Sequence, residues 1–238
     1  MTATIVHAAL LVFLVVVFPI WDRHETRRLK TSTDPLVRIR AYQVTIAWQA
    51  VAAALLLATV PARLLFTPPA EAARMGIGPS PAVAIPLLAG LLGGAVLPVL
   101  LARANPAARE RARKQMESIA FVLPRTRAER LWFAALSLAV GVCEEIIFRG
   151  WLIRWLAEGP LHLGLIAGGV LAAAVFGLDH GYQGIAGMLG TALLALVMTA
   201  LFLATGTLWV PIALHALIDL RALLLLPPPR PDPAAPGS

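Results

Sequence analysis

Residues 141–150 read Gly141-Val142-Cys143-Glu144-Glu145-Ile146-Ile147-Phe148-Arg149-Gly150, and they lie inside an apolar run that extends from 131 to 157. A helix needs about 20 mostly apolar residues to cross the hydrocarbon core of a bilayer, and this run is longer than that. It is therefore read as a membrane-spanning helix. An ionisable side chain at the centre of such a helix costs about 3 kcal/mol even on lenient insertion scales, so two carboxylates and a guanidinium there need a partner or a task.

The rest of the chain agrees with a membrane setting. Of its 238 residues 59% are hydrophobic and 14% charged, and the mean hydropathy is +0.79. These values exclude an ordinary soluble domain. The net charge of +7 is concentrated: six Lys and Arg fall in 22–40 and eight in 103–130. Both clusters flank apolar runs, the pattern of the positive-inside rule and of anionic headgroups, so no nucleic-acid partner is expected and membrane lipid is. Cys143 is the single cysteine, which excludes an intrachain disulfide, and no CxxC or Cys/His cluster marks structural zinc.

Seven segments have the length and apolarity of spans: 4–21, 41–66, 80–102, 131–157, 161–180, 184–205 and 207–226. The fold class that follows is all-α, a polytopic transmembrane bundle of about seven spans with a polar intramembrane cavity. The first run lacks a basic n-region and an Ala-x-Ala site and is read as a retained span. With the basic clusters in cytoplasmic loops, the N-terminus is outside and the C-terminus inside. Three parts are expected: N-terminal helices and basic loops (1–119), a core carrying the polar motifs (120–226) and a Pro-rich disordered tail (227–238). Residues 106–128 are compatible with an amphipathic surface helix or a solvated connector. Gly90, Gly93 and Gly94, Gly164, Gly168 and Gly169, and Gly184, Gly187 and Gly190 are read as close helix contacts, and the tryptophans as interface anchors.

Three apolar runs carry ionisable groups: 141–150, Phe176-Gly177-Leu178-Asp179-His180, and His215-Ala216-Leu217-Ile218-Asp219. On a helix Glu145 and Arg149 share a face in the favoured order for an ion pair, while Glu144 is rotated about 100° away. Glu145 and Arg149 are thus read as structural and Glu144 as the acid left free for catalysis. His215 and Asp219 are four apart, so the carboxylate can orient the imidazole, and His180 brings a second imidazole. Asp179 is read as a helix-boundary residue. A Glu, two His and an Asp suffice to activate water and stabilise an oxyanion; they also suffice to hold a divalent metal such as zinc through Glu144, His180, His215 and Asp219. Spacing does not choose between the two. It also leaves open a proton-coupled transporter, because intramembrane Glu, His and Asp build proton relays.

Taken in order, Glu144-Glu145-x-x-x-Arg149, Phe176-x-x-x-His180 and His215-x-x-x-Asp219 resemble the motifs of the CPBP family, the CAAX-protease and bacteriocin-processing membrane endopeptidases also called Abi proteins. The resemblance covers about 120–226. It implies an intramembrane endopeptidase acting on membrane-associated, CAAX-type substrates, in which Glu144 and His180 activate water, His215 with Asp219 forms the oxyanion site, and Glu145, Arg149 and Phe176 support them. Some members of the family are described as metalloproteases, and others are known only as immunity proteins, which leaves a non-catalytic interaction role as the alternative. Asp219 departs from the Asn variant of the pattern, because an ionised carboxylate cannot donate to an oxyanion. The Ala, Arg and Pro bias fits a bacterial gene and thus a multi-pass protein of the bacterial inner membrane. Counted along straight helices, Glu144, His180 and His215 fall at different depths, so a shared site requires a tilted, broken or shortened helix.

Overall fold

A computed structural model describes residues 2–32, 34 and 36–231. In chain order the helices are α1 (Thr4–Thr31), α2 (Val37–Thr59), two short turns α3 (Ala62–Phe66) and α4 (Ala70–Arg74), α5 (Pro81–Ala104), α6 (Pro106–Gln115), α7 (Arg127–Glu158), α8 (Leu165–Leu178), α9 (Gly184–Thr205) and α10 (Trp209–Leu225). Among the described residues there is no strand, only one isolated bridge between Thr126 and Arg230. Helices are what an apolar setting demands, because each satisfies its own backbone groups without water.

Among the described residues five helical runs are long and apolar enough to cross a membrane: α1, α2, α5, α7 and 181–205, which contains α9. The apolar α8 and the 17-residue α10 complete seven runs at the seven expected positions. This is a multi-pass membrane protein. Its outward surface is apolar, as on α5, where Val83, Ile85, Val96, Leu97, Leu100 and Leu101 are exposed. The bundle has two distinct ends. At one, Ser80 N–H donates to the Ala204 carbonyl, and the Arg154 guanidinium gathers the carbonyls of Leu64, Thr67 and Pro68 together with Glu158. At the other, Arg230 N–H donates to the Arg125 carbonyl and Arg130 to that of Pro227. The basic residues gather at this second end.

Several boundaries differ from the sequence reading. The first helix runs ten residues beyond Trp21 to Thr31, so Arg23, Arg27, Arg28 and Lys30 sit on a helix end rather than in a loop. The second stops at Thr59, ahead of Pro61, because the residues before a proline avoid helical backbone, and residues 62–66 form a separate turn. Residues 106–128 are neither one long surface helix nor a bare connector: α6 spans ten residues and a 3-10 turn follows at Glu117–Ile119. The tail is described only as far as 231; residues 232–238 lie outside the described residues.

Packing corrects two further expectations. Trp151 is buried in the core and Trp48 stacks on Phe18 with ring centroids 4.8 Å apart, whereas Trp209 is exposed. A Cβ at Gly90, Gly93, Gly94 or Gly190 would meet nothing within 4 Å. The close backbone approaches are made at Gly150, where a Cβ would sit 2.6 Å from the Leu65 carbonyl oxygen, at Gly177 against Met188 (2.7 Å), at Gly141 against Ala216 (2.9 Å) and, as the sequence reading expects, at Gly168 against Ala157 (3.1 Å). Small residues let helices touch in lipid, and here they do so around α7 and between α8 and α9. The core is centred there too: Leu56, Ile147, Leu152, Ile153 and Phe202 are fully buried.

Candidate active site

The N-terminus of α7 is fixed first. Thr126 accepts from Glu129 N–H (3.2 Å) while the Glu129 carboxylate returns bonds to the N–H groups of Arg125 and Thr126, a capping box; Arg38 of α2 adds an ion pair to Glu129 at 3.2 Å. After 18 residues of α-helix the chain passes to π geometry over Glu145–Leu152. Such π turns recur at functional sites, where they shift side chains off the regular helical faces. The change begins at the second of the paired acids.

Glu145 and Arg149 are 0% and 2% exposed, and Arg149 Nη1 donates to Glu145 Oε1 at 3.0 Å, the ion pair their spacing predicts. The guanidinium also donates to the Ala195 carbonyl of α9 (3.4 Å) and lies over the Phe176 ring of α8, 4.6 Å from its centroid. The pair thus ties α7 to two neighbouring helices. It does more than that, because His215 Nδ1 donates to the same Glu145 Oε1 at 2.8 Å. Glu145 orients the imidazole that the sequence assigned to Asp219.

His215 Nε2 then stands 3.8 Å from Glu144 Oε2 and 3.8 Å from Asp219 Oδ2. Both are beyond a direct hydrogen bond. The other oxygen of Glu144, Oε1, accepts from Gln49 Nε2 of α2 at 2.6 Å. His180 follows the end of α8. Its Nδ1 donates to the Phe176 carbonyl at 2.7 Å, and since a carbonyl only accepts, a neutral His180 keeps its lone pair on Nε2. The His180 ring packs on Phe176 (centroids 4.6 Å apart), and Phe176 lies 6.2 Å from the ring of His215.

The three motifs reach one level because α8 is shorter than the 161–180 run. It spans 14 residues, a rise of about 21 Å, against about 30 Å for the hydrocarbon core. Starting from the Arg154 end of the bundle it stops part-way, at the depth Glu144 occupies 14 residues before α7 reaches that end at Glu158. A cavity of about 500 Å³ opens there. Glu144, Glu145 and Arg149 line it from α7, Phe176 and His180 from α8 and its following turn, and His215 and Asp219 from α10. The sequence reading passed over Gln49, although a lone amide among Ala, Val and Leu was a visible signal. Asp179, read as a boundary residue, is 6% exposed and lines the same cavity, and its Oδ1 has no hydrogen-bond partner among the described residues.

Residues 126–221 match a family model described as type II CAAX prenyl endopeptidase Rce1-like. This part of the chain, the Rce1-like segment, is similar to that family. It runs from the Thr126 cap to Arg221 and takes in all three helices that carry the motifs, while α1 to α6 lie outside it. No curated protein and no solved structure matches the chain. The matched family is one of CAAX-type endopeptidases, and the motif resemblance over about 120–226 stands on the same residues.

Some members of the family that the Rce1-like segment resembles are described as metalloproteases, and a metal would need donors grouped around one point. Among the described residues no three His, Cys, Asp or Glu are grouped to hold an ion. The Nδ1 bonds of His215 to Glu145 and of His180 to the Phe176 carbonyl leave both Nε2 atoms free, the orientation that a metal-bound imidazole also takes. With no three donors grouped around one point among the described residues, the side chains themselves supply the chemistry.

Proposed function

We propose that the protein is an intramembrane endopeptidase that hydrolyses a peptide bond of a membrane-associated, CAAX-type substrate with a water activated by Glu144 and His180. The observation that carries this is the convergence of Glu144, His180 and His215 on one cavity within the bundle. Peptide hydrolysis needs a base for water, a donor for the oxyanion and an acid for the leaving amine, and these three side chains supply the types.

In this mechanism the Glu144 carboxylate takes a proton from water as the oxygen attacks the scissile carbonyl carbon. His180, with its free Nε2 lone pair, accepts from the same water and orients it. The carbonyl π electrons move to oxygen, and the oxyanion is met by His215, which as imidazolium donates through Nε2 while Nδ1 remains on Glu145. Collapse of the tetrahedral intermediate breaks the C–N bond, and the proton held by Glu144 passes to the amine. One water is consumed and one carboxyl and one amine end are formed. Glu145 and Arg149 hold the imidazole in place, and Phe176 carries both the guanidinium and the His180 ring on its surface.

The test is cleavage of a lipidated, membrane-inserted peptide by the purified protein in vesicles, read by mass spectrometry. Glu144→Ala and His180→Ala are each expected to abolish product while the protein stays folded. Undiminished cleavage by Glu144→Ala excludes the mechanism.

A further inference from the structure

We infer that Gln49 is a positioning residue for Glu144, supplied by the N-terminal helices to a site whose other members all lie in the Rce1-like segment; this rests on Glu144 being the base of the proposed reaction. Gln49 sits on α2, 95 residues from its partner, and is 2% exposed. Its Nε2 donates to Glu144 Oε1 at 2.6 Å, the closest polar contact Glu144 makes with another side chain among the described residues.

Glu144 and Arg149 are five apart on a helix that has turned to π geometry, and the guanidinium bonds Glu145 instead. Glu144 therefore has no charged anchor in its own helix. A glutamate side chain has three rotatable bonds, and without an anchor it would sample the cavity rather than hold one oxygen beside His215. The bond from Gln49 restrains Oε1 and leaves Oε2 as the oxygen that faces His215 Nε2. Hydrogen bonds to ionised groups are the stronger ones, and they act here with little competition from water.

An amide in this place also needs a reason. Its neighbours along α2 are Ile46, Ala47, Trp48, Ala50, Val51 and Ala52, and Gln49 Oε1 is buried with no hydrogen-bond partner among the described residues. An aliphatic residue would fill an apolar helix interface without burying that unpaired oxygen. Among the described residues only the donor end of Gln49 has a partner, and that partner is Glu144. The amide is therefore retained for what it does to Glu144. A glutamine with its donor on a carboxylate also differs from one donating to a neutral carbonyl, because the bond tightens as the carboxylate bears charge. Gln49 thus holds Glu144 in the form and orientation that receives a proton.

The measurement is steady-state cleavage of a membrane-inserted reporter peptide in vesicles by wild type, Gln49→Leu, Glu144→Asp and the double variant, with melting temperatures of all four in detergent. Gln49→Leu is expected to lower kcat by about 10- to 100-fold, the value of a bond to an ionised group, with KM within about twofold. In the Glu144→Asp protein, whose carboxylate is withdrawn from the amide, the same replacement is expected to cost at least about fivefold less, so that the two losses do not multiply. A merely structural Gln49 would lower the melting temperature and leave kcat per folded molecule unchanged, and that result overturns the inference, as do multiplicative losses. If Gln49→Leu does not fold, Gln49→Met carries the same expectations with a side chain of matching length. Full activity of Glu144→Ala overturns the proposed mechanism itself, whereas an inactive Glu144→Ala beside a fully active Gln49→Leu overturns only the role of Gln49.

Discussion

His215 Nδ1 lies 2.8 Å from Glu145 Oε1, across 70 residues of chain, and the same oxygen accepts from Arg149 at 3.0 Å. The acid that looks architectural in the sequence therefore joins the ion pair to the imidazole facing Glu144. Clamp and site share one carboxylate oxygen.

Breaking that junction should cost both stability and activity. Glu145→Ala leaves the Arg149 charge buried without its carboxylate, which destabilises a protein by about 3–5 kcal/mol. It also frees His215 from its orienting bond. We expect a lower melting temperature in detergent together with a loss of cleavage in the protein that remains folded. An unchanged melting temperature would contradict the burial of the pair.

Gly141 controls the distance between α7 and α10. A Cβ there would fall 2.9 Å from Ala216 N and 3.0 Å from Ala216 Cβ, so Gly141→Val must push the helices apart beside His215. A displacement of about 1 Å in a catalytic constellation costs about 100-fold. We expect Gly141→Val to reduce cleavage by about that factor while Gly90→Val, whose Cβ site is open, leaves it unchanged; equal effects of the two would remove the close approach from the account.

Asp219 should matter less than either histidine. Its Oδ2 is 3.8 Å from His215 Nε2, and its side chain is one-third exposed, so the pair contributes about 1 kcal/mol or less. Asp219→Asn is expected to change kcat by less than about fivefold, whereas His180→Ala is expected to lower it by about 100-fold or more. Comparing the two in one cleavage assay decides the ranking.

Because the donors are not grouped around a common point, cleavage is expected to survive treatment with EDTA followed by desalting. Metal content by inductively coupled plasma mass spectrometry, measured on the same sample, gives the comparison. Activity lost on chelation and restored by zinc would show that these side chains regroup around an ion.

Glu129 offers a control away from the cavity chemistry. It is buried, caps α7 and neutralises Arg38. Glu129→Ala removes a cap worth about 1 kcal/mol and unpairs Arg38. The melting temperature should fall while kcat per folded molecule stays near wild type.

Much was legible in the chain itself, and the reason is the solvent. In lipid, apolar length sets the number of helices, and charge at depth is costly enough that Glu144, Glu145, Arg149, His180, His215 and Asp219 stand out against Leu, Ala and Val. The Glu145–Arg149 pair follows from helical spacing alone. Which helices terminate early does not: α8 stops at Leu178, and that shortness brings His180 level with Glu144. The π turn at Glu145 and the contact of Gly141 with Ala216 are likewise set by neighbouring helices rather than by local pattern. Gln49 shows the division most clearly. Its polarity within an apolar span was written in the sequence, but its partner, 95 residues away, was not, because contacts between helices depend on how their faces pack and periodicity reports only which face is polar. The sequence determined that this protein lives in the membrane and which side chains are too costly to be there by chance; tertiary packing decided which of them meet.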